Sequence, residues 1–298
     1  MKQNTGDHII EIMIIAILII VCFTMLYPFW NSIVISFNEG SDTAKGGISF
    51  FIRKFTLENY RLVFRDKRFL NAFGVTVART VAGTAITTLI SSMFAFSLTK
   101  KALKLRKIYL TLAVITMYFG GGMIPTYILI RDIGLRDNFF VYVFPGAVNV
   151  WNMIIFRTFF NGLPSSLEES ARLDGANYYR IYFSLIIPLS MPVFATLALF
   201  TAVAQWNSWF DAAIYIRSQN LMPVQNLLRT IINANSMAEM MSRIGGTASE
   251  QMMLRRSPIT TRSLTMATMV VATLPVMLVY PFIQKHFVQG IMIGSLKE

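Results

Sequence analysis

The residue types that carry most enzyme chemistry are few in this chain, and they are scattered. Its two histidines, His8 and His286, lie near opposite ends. Its one cysteine, Cys22, sits inside a long apolar block, so no intrachain disulfide can form. Neither a Cys/His metal site nor an H-E-x-x-H helix can be assembled from this set. No G-x-x-x-x-G-K-[ST] run is present to cradle a nucleotide phosphate. No catalytic residue, metal or cofactor is therefore expected on this chain. If ATP drives its work, another subunit binds the ATP.

Two polar clusters interrupt apolar sequence. One is Asn149, Trp151 and Asn152; the other is Gln205, Trp206 and Asn207, followed by Trp209 and Asp211. An indole stacks on a sugar ring and an amide bonds hydroxyls, so either cluster could line a path for a saccharide. On one continuous helix, Gln205 with Trp209 and Asn207 with Asp211 share a face at i, i+4. The alternative is a membrane-interface position, where Trp is expected in any case. Arg79 stands alone inside another apolar block, where it serves a pathway, snorkels, or pairs with a backbone carbonyl.

The most patterned stretch is 164–192, PSSLEESARLDGANYYRIYFSLIIPLSMP. Ser165 with Glu168, or Ser166 with Glu169, has capping-box spacing. Gly175 suits the position just past a helix C-terminus. A surface helix of about ten residues is expected, too short to be stable alone. Ser170, Ala171 and Asp174 would share a small, flat face able to lie in a groove of another protein.

These residues hang on long apolar elements. Of the 298 residues 54% are hydrophobic and 14% charged, against about 25% charged in an ordinary soluble domain. The deficit is concentrated in blocks at approximately 9–36, 70–99, 107–130, 138–160, 185–216 and 263–289. Each meets the roughly 20 residues that a helix needs to cross a bilayer. The expected fold is all-α: a single transmembrane domain over 1–298, with six spans and a short helix in the 164–188 loop. The first block is too long for a signal peptide and lacks an A-x-A-like site. Gly74, Ala78 and Ala82 form a small-residue stripe suited to close helix packing. The net charge of +12 is read as loop charge near lipid headgroups rather than as a nucleic-acid surface. Lys100, Lys101, Lys104, Arg106 and Lys107 crowd one short loop with no acid. That loop, and both termini with it, is placed in the cytoplasm, although the long loops on the other side hold more basic residues in total. Six of those, Arg53, Lys54, Arg61, Arg65, Lys67 and Arg68, could attract an anionic sugar or an acidic docking face, or could contact headgroups.

The 164–192 stretch resembles the EAA loop of ABC-importer permeases, whose pattern is E-A-A, three residues, G, nine residues, I-x-L-P. Here it reads Glu169-Ser170-Ala171, then Gly175, then Leu185-Ile186-Ile187-Pro188, with Ser170, Leu185 and Ile187 as conservative departures. Phe55-Thr-Leu-Glu-Asn-Tyr60 looks like the entry to the core of carbohydrate-type permeases. Gly120-Gly-Gly-Met-Ile-Pro-Thr126 resembles the complex or acidic oligosaccharide subset. Gln284–Gly294 looks like the tail of maltose-type permeases. The resemblance covers about residues 9 to 297. It implies a type I importer in a bacterial cytoplasmic membrane. Such an importer has two permeases, here a heterodimer with a related chain, two ATPases that bind ATP and Mg, and an extracytoplasmic solute-binding protein delivering an oligosaccharide. It also implies that Glu169, Ser170, Ala171, Asp174, Gly175 and Pro188 belong to a coupling helix and its anchor. The rival class, an oligomeric secondary transporter, leaves the EAA spacing unexplained and would be expected to show an inverted repeat.

Overall fold

The computed structural model describes residues 5–245 and 260–295, with side chains over 8–234 and 260–279. Residues 1–4, 246–259 and 296–298, including Lys2, Arg255, Arg256 and Lys297, lie outside the described residues. So do the side chains of the 284–294 tail.

The described chain is helical and contains no strand. It has one isolated bridge, between Asn38 and Phe55. The helices are α1 (Thr5–Ser36), α2 (Gly40–Thr43), α3 (Glu58–Arg65), α4 (Lys67–Ser97), α5 (Arg106–Tyr118), α6 (Met123–Asp132), α7 (Val150–Asn161), α8 (Ser165–Leu173), α9 (Tyr178–Ile181), α10 (Ile187–Leu189), α11 (Met191–Asn207), α12 (Phe210–Tyr215), α13 (Val224–Gly245) and α14 (Thr261–Ser295). The chain groups into two compact units. One comprises 1–69 and 228–274, the other 70–227 and 275–298.

Among the described residues, three helices are singly long and apolar enough to cross a membrane: His8–Ser36, Lys67–Ser97 and Thr261–Val279. The first has a mean hydropathy of 3.0 over its most apolar window, and none of that window is buried inside the protein. Exposing this surface to water would be prohibitive, whereas lipid accepts it.

The other expected spans are not single rods. Over 107–130, α5 and α6 meet at 115°. Gly120–Gly122 carry no Cβ to stiffen the corner, and Gly122 has φ 84°. Over 185–216, the Tyr178–Leu189 segment meets α11 at 84°. A π-turn over Tyr182–Ile186 precedes Pro188, and the corner falls at Ser190, just before Pro192. Prolines without N–H cannot continue the ladder, so the helix re-registers there. Over 138–160, a 3-10 turn at Phe139–Tyr142 and the Pro145-Gly146 pair leave only the 12 residues of α7. With each bent pair taken as one crossing, length and composition account for five.

The 217–262 segment contains the 22-residue helix α13. Residues 224–242 hold no proline or glycine, so mixed polarity there means an amphipathic helix rather than a coil. Of the small stripe, Ala82 packs against the core around Tyr142, while Gly74 faces open space and Ala78 is exposed among the described residues.

In the second unit, one apolar core joins the ends of α4 and α5 to α7, α9 and α11. It is centred on Phe96, Leu98, Met153, Phe156, Phe160, Tyr182 and Leu197. A smaller core joins Ile130, Val141, Tyr142, Val143, Ala212 and Ile216.

Candidate functional site

Where α11 ends, Ser208 is extended (ψ 131°) and the chain re-enters a helix at Phe210. This break exposes backbone polar groups beside α4, and Arg79 answers them. Its side chain is 1% exposed. Nη2 donates to Asp211 Oδ2 at 2.5 Å and to Gln205 Oε1 at 3.1 Å; Nη1 donates to the Ser208 carbonyl at 3.2 Å. The guanidinium also lies 4.2 Å from the centre of the Tyr142 ring. A cation so deep requires both charge and hydrogen-bond partners. Of its three nitrogens, only Nε has no partner. Gln205 closes the cluster by donating to the Tyr142 carbonyl at 3.3 Å. A Cβ on Gly83 would stand 2.6 Å from Gln205 Nε2, so only glycine leaves the amide room to lie across α4.

Above this cluster is a cavity of about 480 Å³. Its polar lining includes Thr87, Thr126, Asn149, Asn152, Thr201, Gln205, Ser208 and Asp211, and its ring faces are Tyr142, Trp151, Phe200 and Tyr215. Asn149 caps α7 by accepting from Asn152 N at 3.0 Å, and Asn152 Nδ2 donates to Thr201 Oγ1 at 3.0 Å. The size is that of a small-molecule site. Hydroxyls, amides and aromatic faces together suit a sugar.

Four of the six expected path residues, Asn149, Trp151, Asn152 and Gln205, line this cavity. Trp206 and Asn207 do not. Trp206 is buried edge-on against Phe73 at 5.6 Å, and Asn207 is exposed at the end of α11. The expected face pairs at 205/209 and 207/211 assumed a continuous helix, and the break at Ser208 abolishes them. Instead Gln205 and Asp211 converge on Arg79. The sequence marked Arg79 and Asp211 as polar intruders but did not pair them. It gave no signal for Gly83 or Tyr142.

The outer rim of this region is tied by Asp137, whose backbone is left-handed (φ 54°). Its carboxylate accepts from Arg217 N, Ser218 N and Ser218 Oγ at 2.7–2.9 Å. Those donors, Ser218 above all, hold its pKa below the usual aspartate value.

At the other end of the second unit lies α8. Gly175, at φ 78°, donates to the Arg172 carbonyl, and Ala176 N donates to the Ala171 carbonyl, a Schellman stop as expected. The start differs from expectation. Pro164 occupies the N-cap without a side-chain bond, so no capping box forms. Glu168 is drawn elsewhere: it pairs with Lys100 and, at 2.8 Å, with Arg172. Lys100 Nζ also lies 3.7 Å from the Phe96 ring centre. Burial raises the Glu168 pKa, but hydrogen bonds and charge from Lys100 and Arg172 outweigh it and leave it below 4.5. Burial lowers the Lys100 amine below 10.5, partly offset by Glu168. Tyr182 and Ser92 hydroxyls, 2.6 Å apart, tie the following segment to α4.

The outward face of α8 also differs. Ala171 turns inward onto the apolar core. Glu169, Ser170 and Asp174 are exposed, and Leu173 is 90% exposed. The face presented is therefore Ser166, Glu169, Ser170 and Leu173, rather than one that includes Ala171. Pro188 sits in α10, two residues beyond the π-turn.

No protein-family model matches the chain. It is 37% identical over 292 residues, 98% of this chain and 99% of the relative, to the polygalacturonan/rhamnogalacturonan transport system permease protein YtcP of Bacillus subtilis (strain 168). It is 38% identical over 272 residues, 91% of this chain and 89% of the relative, to protein LplC of the same organism. Among solved structures, a bacterial ABC transporter involved in the import of the acidic polysaccharide alginate contains a similar chain. The TM-score is 0.85 at 29% identity, covering 96% of this chain and 99% of that one. Long identity to a transport permease and near-complete structural overlap with an importer agree with the helical architecture and its long apolar helices: the chain belongs to the permease subunits of ABC carbohydrate importers.

Proposed function

We propose that this chain forms one half of the transmembrane pathway for an acidic, uronate-containing oligosaccharide. The observation that carries the path reading is the cavity over the Arg79 cluster, walled by Trp151, Tyr142 and Tyr215 and by the amides of Asn149, Asn152 and Gln205. Arg79 and Asp211 neutralise one another, so this lining recognises hydroxyls and ring faces. The acidic character is read from the relatives, since polygalacturonan and alginate are both uronate polymers.

The rest of the machine follows from the family. A second, related permease chain completes the pathway, and an extracytoplasmic binding protein delivers substrate. Two ATPase subunits bind ATP and Mg and hydrolyse ATP; this chain is not an enzyme. Helix α8 serves as the coupling helix. Glu169, Ser170 and Leu173 meet the ATPase, Ala171 anchors the helix to the core, and Asp174, Gly175 and Pro188 set its end and its link to α11. Six crossings result when the 3-10 turn and α7 together count as a short sixth beside the three straight helices and two bent pairs. Both termini and the basic 100–107 loop then lie in the bacterial cytoplasm with α8.

The test is ATP hydrolysis by the reconstituted importer with its binding protein, using galacturonate oligosaccharides and neutral malto- and arabino-oligosaccharides of equal length. Stimulation by the uronates above the neutral series is expected. Stimulation by the neutral sugars alone would sink the acidic assignment and leave the permease role standing.

A further inference from the structure

The cavity over the Arg79 cluster leaves one part of an acidic sugar unanswered. Its lining offers hydroxyls, amides and ring faces, and its own cation is already bonded to Asp211. The Asp211 side chain is 25% exposed, against 1% for Arg79. The accessible charge at the cavity floor is therefore negative, which disfavours a sugar carboxylate there.

The rim carries the missing charge. Beyond α6 the chain passes Leu135, packed on the smaller core, to Arg136 and Asp137. Asp137 N donates to the Tyr215 carbonyl at 3.0 Å, and the Asp137 carboxylate holds the backbone of Arg217 and Ser218. These bonds clamp Arg136 beside the 215–217 segment. Arg136 is half-buried, with its guanidinium 5.9 Å from the centre of the Tyr127 ring. Tyr127 is stacked with Tyr215, the ring centres 6.1 Å apart and the planes 16° from parallel. Tyr215 in turn lines the cavity. A guanidinium and two rings thus lead from the rim into the cavity.

Three basic side chains stand at this rim. Arg131 is spent on its neighbour Asp132, at 2.8 Å. Arg136 and Arg217 form no ion pair among the described residues, and their guanidinium groups have no hydrogen-bond partner there. Asp137 lies between them, but its oxygens are taken by two backbone N–H groups and the Ser218 hydroxyl. The guanidinium fork fits a carboxylate, and an aromatic face fits a pyranose ring.

Resting on the uronate reading above, we propose that this rim is the outer carboxylate subsite of the pathway. Arg136, supported by Arg217, holds the carboxylate of a uronate unit whose ring lies along the Tyr127–Tyr215 pair. Hydroxyls of the next unit meet the amides of the cavity. The charge of the substrate is thus read at the rim and its hydroxyls are read inside.

The experiment uses the assembled importer in liposomes with its binding protein fully loaded with trigalacturonate. Uptake is followed against the concentration of loaded binding protein. Handover to the permease depends on the rim contact, so Arg136→Gln should lower the maximal rate about fivefold, the worth of one partly exposed ion pair. The half-saturating concentration should stay unchanged. Arg136→Lys should keep about half the parent rate. Exposed Arg217→Gln should lower the rate about twofold, and it carries the test if Arg136→Gln does not assemble. A raised half-saturating concentration at full maximal rate would mean that these bases meet an acidic face of the binding protein. Maximal rates equal to the parent's would mean that uronates pass without touching the rim. A lysine variant as weak as the glutamine one would mean that Arg136 only packs. Each of these results overturns the subsite while the uronate reading stands. A parent importer that carries no trigalacturonate would overturn that reading and the subsite with it.

Discussion

Arg79 shows how much of this site depends on a few contacts. Its charge is compensated by Asp211, its two terminal nitrogens also donate to Gln205 and Ser208, and its ring-side face meets Tyr142. Removing one member of a buried ion pair strands the other charge in a medium that cannot solvate it. Asp211 keeps partial access to the cavity, which places the Asp211→Asn cost at the lower end, about 3 kcal/mol. We expect a lowered unfolding temperature of the purified complex, and a smaller loss in the double variant Arg79→Met/Asp211→Leu than the single losses add up to. Single variants as stable as the parent would show that the pair contributes nothing. The pairing spans 132 positions of sequence, so no local pattern could reveal it. Gly83 is the same kind of residue: its meaning lies in the 2.6 Å that a Cβ would leave to Gln205.

Among the elements, α8 is the one whose outline was legible. Its length, its glycine stop and its place between two apolar segments all follow from local chemistry. Its orientation was not legible, because Lys100, far away in sequence, captures Glu168 and rotates Ala171 inward. The Lys100–Glu168 pair thereby fastens α8 to the end of α4, through which movement of α8 would reach the span. Lys100→Met should weaken this link by about 1 kcal/mol, a factor of about five, and reduce sugar carried per ATP while ATP hydrolysis persists. Measuring both fluxes in the same liposomes checks this. An unchanged ratio would exclude the lever. The pair requires an ionised Glu168. With its folded pKa depressed, its contribution is complete above the unfolded value near 4.5 and is lost as pH falls through the lower folded value. The bent crossings teach a related lesson. Hydropathy counted 107–130 and 185–216 as rods, but Gly120–Gly122 and the Pro188/Pro192 pair turn them by 115° and 84°.

For the whole molecule, the net charge of +12 is read as loop charge near headgroups, with six basic residues of one loop able to attract an anionic sugar. The structure discounts that for the loop where it was expected. Of its six candidate bases, Arg53, Lys54, Arg61 and Arg68 pair with Asp42, Glu39, Glu58 and Asp66. Arg65 and Lys67 form no ion pair among the described residues. Uptake should therefore change by less than about twofold between low salt and a salt at which the screening length is about 8 Å. A steep fall with salt, measured as initial uptake rate, would restore electrostatic steering.

The sequence by itself determined that this is a helical membrane protein, that it binds no nucleotide through a Walker loop, and that its most informative stretch is 164–188. Those conclusions rest on composition, run length and fixed local spacing, which need no partner in space. Only the tertiary structure decided which polar residues meet: that Trp206 belongs to packing while Tyr142 joins the cavity, and that Glu168 serves Lys100 rather than a helix cap. The physical reason is the same in each case. A buried charge or an unpaired carbonyl takes whichever partner the fold brings within about 3 Å, and that partner lies tens to more than a hundred residues away.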